Sequence, residues 1–222
     1  MSVRPLRAVL FDLDGTLLDT APDMIGALDE LRREEALGPI DYDFARAHVS
    51  AGALGLIDIA FGEPDEAHRM SLRERYLDLY AQRLHTATVL FDGMAEVLEH
   101  LERDEIRWGV VTNKPSFLTE PLLDALGLLC RCACVVSGDT LPERKPQPQP
   151  LLHATTLIGV APDQAMYIGD ADRDIAAGKA AGMMTVAAAY GFIPPGDDPH
   201  TWGADHLIEH PRHLLAILKN HA

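Results

Sequence analysis

The stretch Leu6–Thr16, LRAVLFDLDGT, joins a nearly continuous apolar run to a pair of carboxylates. The apolar part, Leu6–Phe11, predicts a strand buried on both faces, as in a parallel sheet. Asp12 and Asp14 follow at once, and side chains two residues apart in an extended chain point to the same side. Carboxylates placed in this way can share one Mg²⁺, and one can attack phosphorus while the other protonates the leaving oxygen. The alternative is an ordinary Asp-Gly turn with two solvated acids.

Apolar runs of the same kind recur along the chain, and most lead into a helical pattern. They lie at Trp108–Val111, Ala133–Val136, Ala165–Ile168 and Met183–Ala189. Leucines at helical spacing between Leu118 and Leu126 predict one of the helices, and Asp174–Ala181 predicts another. The alternation predicts an α/β fold with a Rossmann-like, doubly wound parallel sheet. In such sheets, sites form at the carboxyl ends of the strands.

Residues 20–85 interrupt this alternation with helical patterns alone. Apolar stripes predict one helix that begins near Thr20 and a longer helix through Leu72–Leu84. Thr20 and Asp23 have the spacing of a capping box at the start of the first helix. The sequence therefore predicts an all-helical insertion after the first strand.

Two later stretches carry residues suited to binding an anion. Thr112 and Asn113 follow the run that ends at Val111, where a hydroxyl, an amide and free helix N–H groups form an anion site. Lys145 begins a short Pro-rich loop, and its charge can serve a phosphoryl group and an aspartate together. Each also has an ordinary alternative, a helix cap for Thr112 and a solvated surface position for Lys145.

Three more acids crowd the end of another predicted strand. Asp170, Asp172 and Asp174 lie within five residues, directly after the run that ends at Ile168. Carboxylates so close repel one another unless a cation is present. Metal binding is therefore the simplest interpretation of this stretch.

The charge balance restricts the partners. The 222 residues include 19 Lys+Arg against 34 Asp+Glu, which gives a formal net charge of −15. Nucleic acids and anionic membranes are bound by clustered Lys and Arg, so neither is expected as a partner. An anionic substrate would require the few basic residues to be concentrated at its site.

The cysteines and the apolar runs predict a cytoplasmic protein. Cys130, Cys132 and Cys134 are odd in number, and their spacing of two predicts that they share one face of a strand as reduced thiols. The N-terminal apolar run is too short for a signal peptide, and no run approaches the roughly 20 residues that span a bilayer.

Read together, the four polar stretches resemble the motifs of the haloacid dehalogenase superfamily. The motifs occur in the family's order: Asp-x-Asp-Gly-Thr, then Thr, then Lys, then Gly-Asp-x-x-x-Asp. The resemblance covers nearly the whole chain, and the helical insertion matches that family's small cap domain. It implies a catalytic core of residues 1–17 and 88–222, with the helical cap at 18–87.

The same resemblance implies a role for each motif residue. Asp12 would be the nucleophile and Asp14 the general acid and base. Thr112, Lys145 and Asn113 would hold the phosphoryl group. The resemblance also implies a bound Mg²⁺ and an aspartyl-phosphate intermediate. Its Mg²⁺ ligands would be the Asp12 side chain, the Asp14 backbone carbonyl and Asp170, with Asp174 supporting this shell and Lys145.

Asp14 favours phosphate-ester hydrolysis over dehalogenation, because a halide leaves without a proton whereas an alkoxide needs one. The implied substrate is a small phosphate ester, and the implied assembly is a monomer or a homodimer. The segments Phe91–Gly93, Val111–Pro115 and Tyr190–Gly191 resemble phosphoglycolate phosphatases. The tail from Tyr190 to Asp205 also resembles N-acetylmuramate 6-phosphate phosphatases. A phosphomutase and a non-catalytic binding protein are the remaining alternatives.

The cap should separate the substrates, since its loop Val49–Gly55 is where related proteins carry a polar or basic residue. The residues that follow Gly52 here are Ala53, Leu54 and Gly55. The loop therefore offers no obvious cation for a substrate carboxylate. His48 and Ser50 are the polar residues that remain as candidates.

Overall fold

A six-stranded parallel sheet forms the core of the computed structural model, which describes residues 5–221. The strands of the described residues are β1 (Ala8–Phe11), β2 (Leu18–Asp19), β3 (Val89–Leu90), β4 (Arg107–Val111), β5 (Val135–Val136), β6 (Ala165–Gly169), β7 (Met184–Ala188) and β8 (His206–Ile208). The order across the large sheet is β5-β4-β1-β6-β7-β8, and every neighbouring pair is parallel. Strand β1 therefore lies in the middle, where the chain winds outward in both directions.

Helices cover both faces of this sheet and build the insertion. They are α1 (Ala21–Glu34), α2 (Tyr42–Ala47), α3 (Gly52–Phe61), α4 (Glu66–Ala81), α5 (Met94–Arg103), α6 (Ser116–Ala125), α7 (Gln149–Ile158), α8 (Asp172–Ala180) and α9 (Leu214–Lys219). Every residue of β1 is buried, which explains its continuous apolar sequence. The predicted Rossmann-like α/β core is confirmed.

The four helices α1–α4 form the insertion between β1 and the rest of the sheet. Helix α4 turns Leu72, Tyr76 and Tyr80 inward, and α1 packs against it. The two short strands β2 and β3 pair antiparallel, so the outgoing and returning chains lie side by side. This pairing lies at the predicted boundary between core and cap. The division into residues 1–17 with 88–222 and 18–87 itself stays a prediction, and residues 1–4 and 222 lie outside the described residues.

The predicted capping box at the start of α1 is wrong. Thr20 makes no side-chain capping hydrogen bond, and its hydroxyl instead contacts the sulfur of Met24. The buried Asp23 carboxylate accepts hydrogen bonds from the backbone N–H groups of Ala87 and Thr88 and from the Thr88 hydroxyl. The local spacing assigned the Asp23 carboxylate to the cap, but it instead accepts long-range hydrogen bonds. These bonds connect α1 to the returning chain.

The prediction that the cysteines share one face of a strand is also wrong. Strand β5 contains only Val135 and Val136, and the three thiols lie in the turns that precede it. Cys130 is exposed, whereas Cys134 is buried, and burial raises the pKa of the Cys134 thiol to about 12. All three cysteines are free. Within residues 5–221, no helix is long and apolar enough to cross a membrane.

Candidate active site

The polar stretches singled out in the sequence converge at the carboxyl end of the sheet. Asp12 follows β1, Thr112 follows β4 and Asp170 follows β6. Because β1 pairs with β4 on one side and β6 on the other, these three residues end neighbouring strands. Lys145 reaches the same place from the loop that precedes α7. The chain thus places its candidate residues at the topological switch point.

Lys145 is the buried centre of the cluster. Its Nζ lies 2.8 Å from Asp12 Oδ1 and 2.8 Å from Asp174 Oδ1, and its side chain is only 1% exposed. It also donates to the Tyr167 hydroxyl at 2.8 Å, and that hydroxyl donates to the carbonyl of Val111. One ammonium therefore joins the ends of β1, β4 and β6.

Asp12 has one oxygen held and one oxygen open. Oδ1 accepts hydrogen bonds from the N–H of Leu13 and from Lys145, both at 2.8 Å. Oδ2 receives no hydrogen bond from residues 5–221, and Asp12 lines the cavity described below. Burial opposes ionisation of Asp12, but Lys145 and Arg173 outweigh it and hold the pKa of this carboxyl below its usual value. Asp12 is therefore an ionised carboxylate at the cavity wall, with one oxygen to which no described residue donates a hydrogen bond.

Three buried carboxylates form a candidate metal centre. Oxygens of Asp12, Asp170 and Asp174 lie within 4.8 Å of one another. Burial, together with the charges of Asp12 and Asp174, raises the pKa of Asp170 to about 7. Burial also raises the pKa of Asp174, although Lys145 opposes that rise. Uncompensated negative charge of this kind fits a hard divalent cation.

Gly15 allows the loop after β1 to pass close to this centre. Its φ is +80°, a conformation that favours glycine, and a Cβ there would overlap the Asp170 carboxylate. Asp170 is further held by the N–H of Phe192 at 2.9 Å and by the Ser50 hydroxyl at 2.6 Å. Ser50 belongs to the insertion, so a cap residue contacts a carboxylate of the core.

Asp14 occupies a different setting from the other acids. Its Oδ1 accepts a hydrogen bond from Lys114 Nζ at 2.9 Å, and its side chain is 16% exposed. Lys114 also donates to the hydroxyl of Tyr80 at 2.9 Å and lies over the Tyr80 ring. Because Tyr80 belongs to α4, Lys114 links Asp14 to the insertion.

Thr112 and Asn113 both lie at the end of β4 and line the cavity. The Asn113 amide donates to the carbonyl of Lys145 and accepts from its N–H, each at 3.1 Å. The Asn113 side chain therefore positions the Lys145 backbone. The Thr112 hydroxyl accepts from the N–H of Lys114 at 3.2 Å.

A cavity of about 330 Å³ lies between these strand ends and the insertion. The core side contributes Asp12, Asp14 and the residues around Thr112. The insertion contributes residues 49–54, which were predicted to be a loop but which form a 3-10 turn and the start of α3, together with α4 residues that include Arg73 and Tyr76. The cavity thus has reactive acids on one wall and the cap on the other.

Sequence reasoning missed several residues of this site, namely Tyr167, Tyr80 and Arg73. Tyr167 lies within an ordinary apolar strand, and the other two lie on a helix distant in sequence from the motifs. The candidate His48 bonds the carbonyl of Phe44 through Nδ1 and does not line the cavity. Asp172 is exposed, in contrast to Asp170 and Asp174.

The fold and the site together define an α/β enzyme with a buried carboxylate–lysine centre at its strand ends and a helical insertion above it. The family model for the haloacid dehalogenase-like hydrolases matches residues 9–188, and the chain belongs to this family. The resemblance inferred from the four motifs is thereby confirmed.

The similar proteins include phosphatases of two names. The chain is 47% identical, over 94% of its length and 94% of the relative, to a phosphoglycolate phosphatase of Xanthomonas campestris. It is 42% identical, over 96% of its length and 95% of the relative, to an N-acetylmuramic acid 6-phosphate phosphatase of Pseudomonas aeruginosa. A crystal structure of a predicted phosphoglycolate phosphatase from Haemophilus somnus superposes with a TM-score of 0.85 at 26% identity, covering 96% of this chain and 97% of that one.

Proposed function

We propose that this protein is a Mg²⁺-dependent phosphate-monoester hydrolase that acts through an aspartyl-phosphate on a small phosphorylated metabolite. The observation that carries the proposal is the state of Asp12, an ionised carboxylate with Oδ1 held by Lys145 and Leu13 and with Oδ2 free of such contacts. A fixed carboxylate beside a cation, at the wall of a cavity and with one oxygen not yet engaged, suits nucleophilic attack on a phosphate ester.

The reaction has two steps, and each uses residues of this site. Asp12 Oδ2 attacks phosphorus, the P–O bond to the alcohol breaks, and Asp14 gives its proton to the leaving oxygen. Asp14 then takes a proton from a water that attacks the phosphorus of the aspartyl-phosphate. The bond between Asp12 and phosphorus breaks, which releases inorganic phosphate and restores Asp12.

Cationic and polar groups support these steps. Lys145 lies beside Asp12 and offsets charge on the phosphoryl group, while Thr112 and Asn113 contribute donors at the end of β4. Lys114 donates a hydrogen bond to Asp14 Oδ1 at 2.9 Å, which leaves Asp14 Oδ2 to carry the proton that is transferred. The presence of Asp14 supports phosphate-ester hydrolysis over dehalogenation.

The residues around Asp170 fit the proposed Mg²⁺. Asp12 and Asp170 would hold the ion, with the Asp14 backbone carbonyl as the third protein ligand implied by the family resemblance. Asp174 lies in the same carboxylate cluster and is also bound to Lys145. When bound, the ion supplies positive charge that stabilises the transferring phosphoryl group.

We expect Mg²⁺ to bind about tenfold more weakly at pH 6 than at pH 8. The pKa of Asp170 is raised to about 7, so the metal-free folded protein holds a proton there at pH 6 that Mg²⁺ must displace. The sign follows from the raised pKa: at pH 6 most of the metal-free folded protein carries the Asp170 proton, whereas at pH 8 most of it has already lost that proton. Calorimetric titration of the metal-free protein with MgCl₂ at both pH values measures the difference.

The variant Asp170→Asn should lose this Mg²⁺ binding, whereas the exposed Asp172→Asn should retain it. Equal affinity at pH 6 and pH 8 in the unaltered protein would contradict the expected proton displacement.

Two substrates remain candidates, each with its own support. Phosphoglycolate is the first, because the relative at 47% identity is a phosphoglycolate phosphatase. N-acetylmuramic acid 6-phosphate is the second, because the relative at 42% identity is an N-acetylmuramic acid 6-phosphate phosphatase and its match covers 96% of this chain. We further propose that the protein acts in the cytoplasm as a monomer or a homodimer.

A panel of phosphate esters tests this function directly. Purified protein with Mg²⁺ is assayed for released phosphate with 2-phosphoglycolate, N-acetylmuramic acid 6-phosphate and common sugar phosphates. We expect one of the first two to give the highest kcat/KM. The proposal fails if no ester releases phosphate, and isomerised sugar phosphate without free phosphate would indicate a phosphomutase.

A further inference from the structure

The cations that line the cavity divide into those already engaged and those left free. Lys114 is paired with Asp14, and Arg173 donates to the carbonyl of Ser50 at 2.7 Å. Arg73 and Arg144 also line the cavity, and within residues 5–221 neither has an ion pair or hydrogen bond. Arg144 is exposed, whereas Arg73 is half-buried.

Free arginines are unusual in this chain, which has 34 acidic residues against 19 basic ones. The arginines on either side of Arg73 in α4 show the usual outcome. Arg69 binds both oxygens of Asp58 at 2.6 Å, and Arg75 binds Glu34 and Glu35. Arg73 lies in the same helix but has no such partner among residues 5–221.

Helix α4 itself offers Arg73 no acidic neighbour. Side chains three and four residues apart are neighbours on a helix. Around Arg73 those positions hold Met70 and Tyr76 at three residues, and Arg69 and Leu77 at four. None of them is acidic, so α4 presents the guanidinium to the cavity without an internal carboxylate. A half-buried guanidinium without a partner gains by binding an anion that enters the cavity.

We propose that Arg73 is the cap residue that selects the substrate, by binding a carboxylate that the phosphate ester carries at its other end. The inference rests on the proposed phosphatase function and deepens it. Asp12 and Lys145 account for the phosphoryl end, and Arg73 lies on the opposite, cap wall of the same cavity. A planar guanidinium with its fork of donors matches a carboxylate in a bidentate manner.

The segment 49–55 offers no cation for such a group, and α4 supplies one instead. Both candidate substrates fit this chemistry, because phosphoglycolate and N-acetylmuramic acid 6-phosphate each carry a carboxylate besides the phosphate. This role of Arg73 therefore predicts discrimination against analogues of either substrate that lack the carboxylate. In a chain of net charge −15, Arg73 also supplies a local positive charge for the second anionic group of the substrate, its carboxylate.

Paired substrates that differ only in the carboxylate test this role. One pair is 2-phosphoglycolate with 2-hydroxyethyl phosphate, and the other is N-acetylmuramic acid 6-phosphate with the same ester whose lactyl carboxylate is converted to a carboxamide. We expect Arg73→Gln to lower kcat/KM for the better acid about 10- to 100-fold, mostly through KM, because it removes a charge-assisted contact. For the member of each pair without the carboxylate, kcat/KM should change less than about threefold. The ratio of kcat/KM within the pair should therefore fall.

Arg33→Gln is the matched control, since it removes the same charge from an exposed position in the cap. It should leave both ratios unchanged. An equal loss for the acid and its uncharged partner in Arg73→Gln, or no loss at all, would overturn the role of Arg73.

A binding measurement separates this inference from the phosphatase proposal. The phosphonate 3-phosphonopropionate has the shape of 2-phosphoglycolate but cannot be hydrolysed, and propylphosphonate lacks its carboxylate. We expect the unaltered protein to bind 3-phosphonopropionate more tightly, and Arg73→Gln to lose that preference. The preference, if present without any hydrolysis, supports Arg73 and contradicts only the activity; hydrolysis without the preference contradicts only Arg73.

Discussion

The variant Asp12→Asn is expected to lose hydrolysis of every phosphate ester by about four orders of magnitude or more, the scale that follows removal of a covalent nucleophile. The amide keeps the shape of the carboxylate but is a poor nucleophile, so no phosphoryl group can be transferred to it. Lys145 remains paired with Asp174 at 2.8 Å, and the variant should fold. Steady-state kinetics with the best ester of the panel measures the loss.

The control for this variant is Asp172→Asn, which makes the same chemical change two residues beyond Asp170. Asp172 is exposed and lies outside the buried carboxylate cluster, so its variant should keep nearly full activity. Acid-quenched unaltered protein should also yield a phosphoprotein that hydroxylamine cleaves, as an acyl phosphate requires. Substantial turnover by Asp12→Asn would show that another group attacks phosphorus.

The strand-end acids were predictable from sequence because the relevant signals are local. A strand buried on both faces requires a continuous apolar run, and the polar residue that follows it marks the carboxyl end of the strand. Asp12 and Asp170 were both placed in this way, and the structure brings them to one cluster. Lys145 was placed by the order of the motifs, because a loop residue carries no such pattern.

The cap wall was not predictable, because its contacts join residues far apart in the chain. Lys114, in the turn after β4, donates a hydrogen bond to Tyr80 of α4, and no spacing in the sequence indicates that contact. In the sequence, nothing distinguishes Arg73 from the other charged residues of its helix. Only the folded arrangement shows that its neighbours in α4 are paired and that it faces a cavity.

For a related reason, the sequence did not predict the short strands, and it predicted a helix cap that does not form. Strands β2 and β3 contain two residues each, too few for an alternation pattern. Thr20 and Asp23 matched a local cap, but the Asp23 carboxylate gains more from three donors of the returning chain. Tertiary hydrogen bonds therefore overrode a correct local spacing.

Lys145 is the residue whose loss should combine the largest effects on stability and activity. Its ammonium is buried between Asp12 and Asp174, at 2.8 Å from each. Removing one partner of a buried ion pair leaves uncompensated charge and typically costs about 3–5 kcal/mol. The variant Lys145→Met keeps the apolar stem and removes only the cation, so the expected loss comes from the two carboxylates left behind.

This loss should depend on pH, and the sign follows from the shifts at the site. Lys145 is a main reason why the pKa of Asp12 is held low, against a burial effect that raises it. Without the cation, burial dominates, the pKa values of Asp12 and Asp174 rise, and both groups neutralise as the pH falls. The folded variant then binds more protons than the unfolded chain, so its stability increases toward acid pH. The deficit relative to the unaltered protein should therefore be largest near pH 8 and smaller at pH 5.

Urea unfolding in EDTA at pH 8 and pH 5 measures this for Lys145→Met, with the exposed Lys179→Met as the matched control. The control should lose less than about 0.5 kcal/mol at both pH values. Adding Asp174→Asn to Lys145→Met removes one of the two stranded charges and should recover part of the stability at pH 8, without recovering activity. A deficit of the same size at both pH values, or no recovery in the double variant, would mean that Lys145 stabilises the fold through packing alone and not through its charge between the two aspartates.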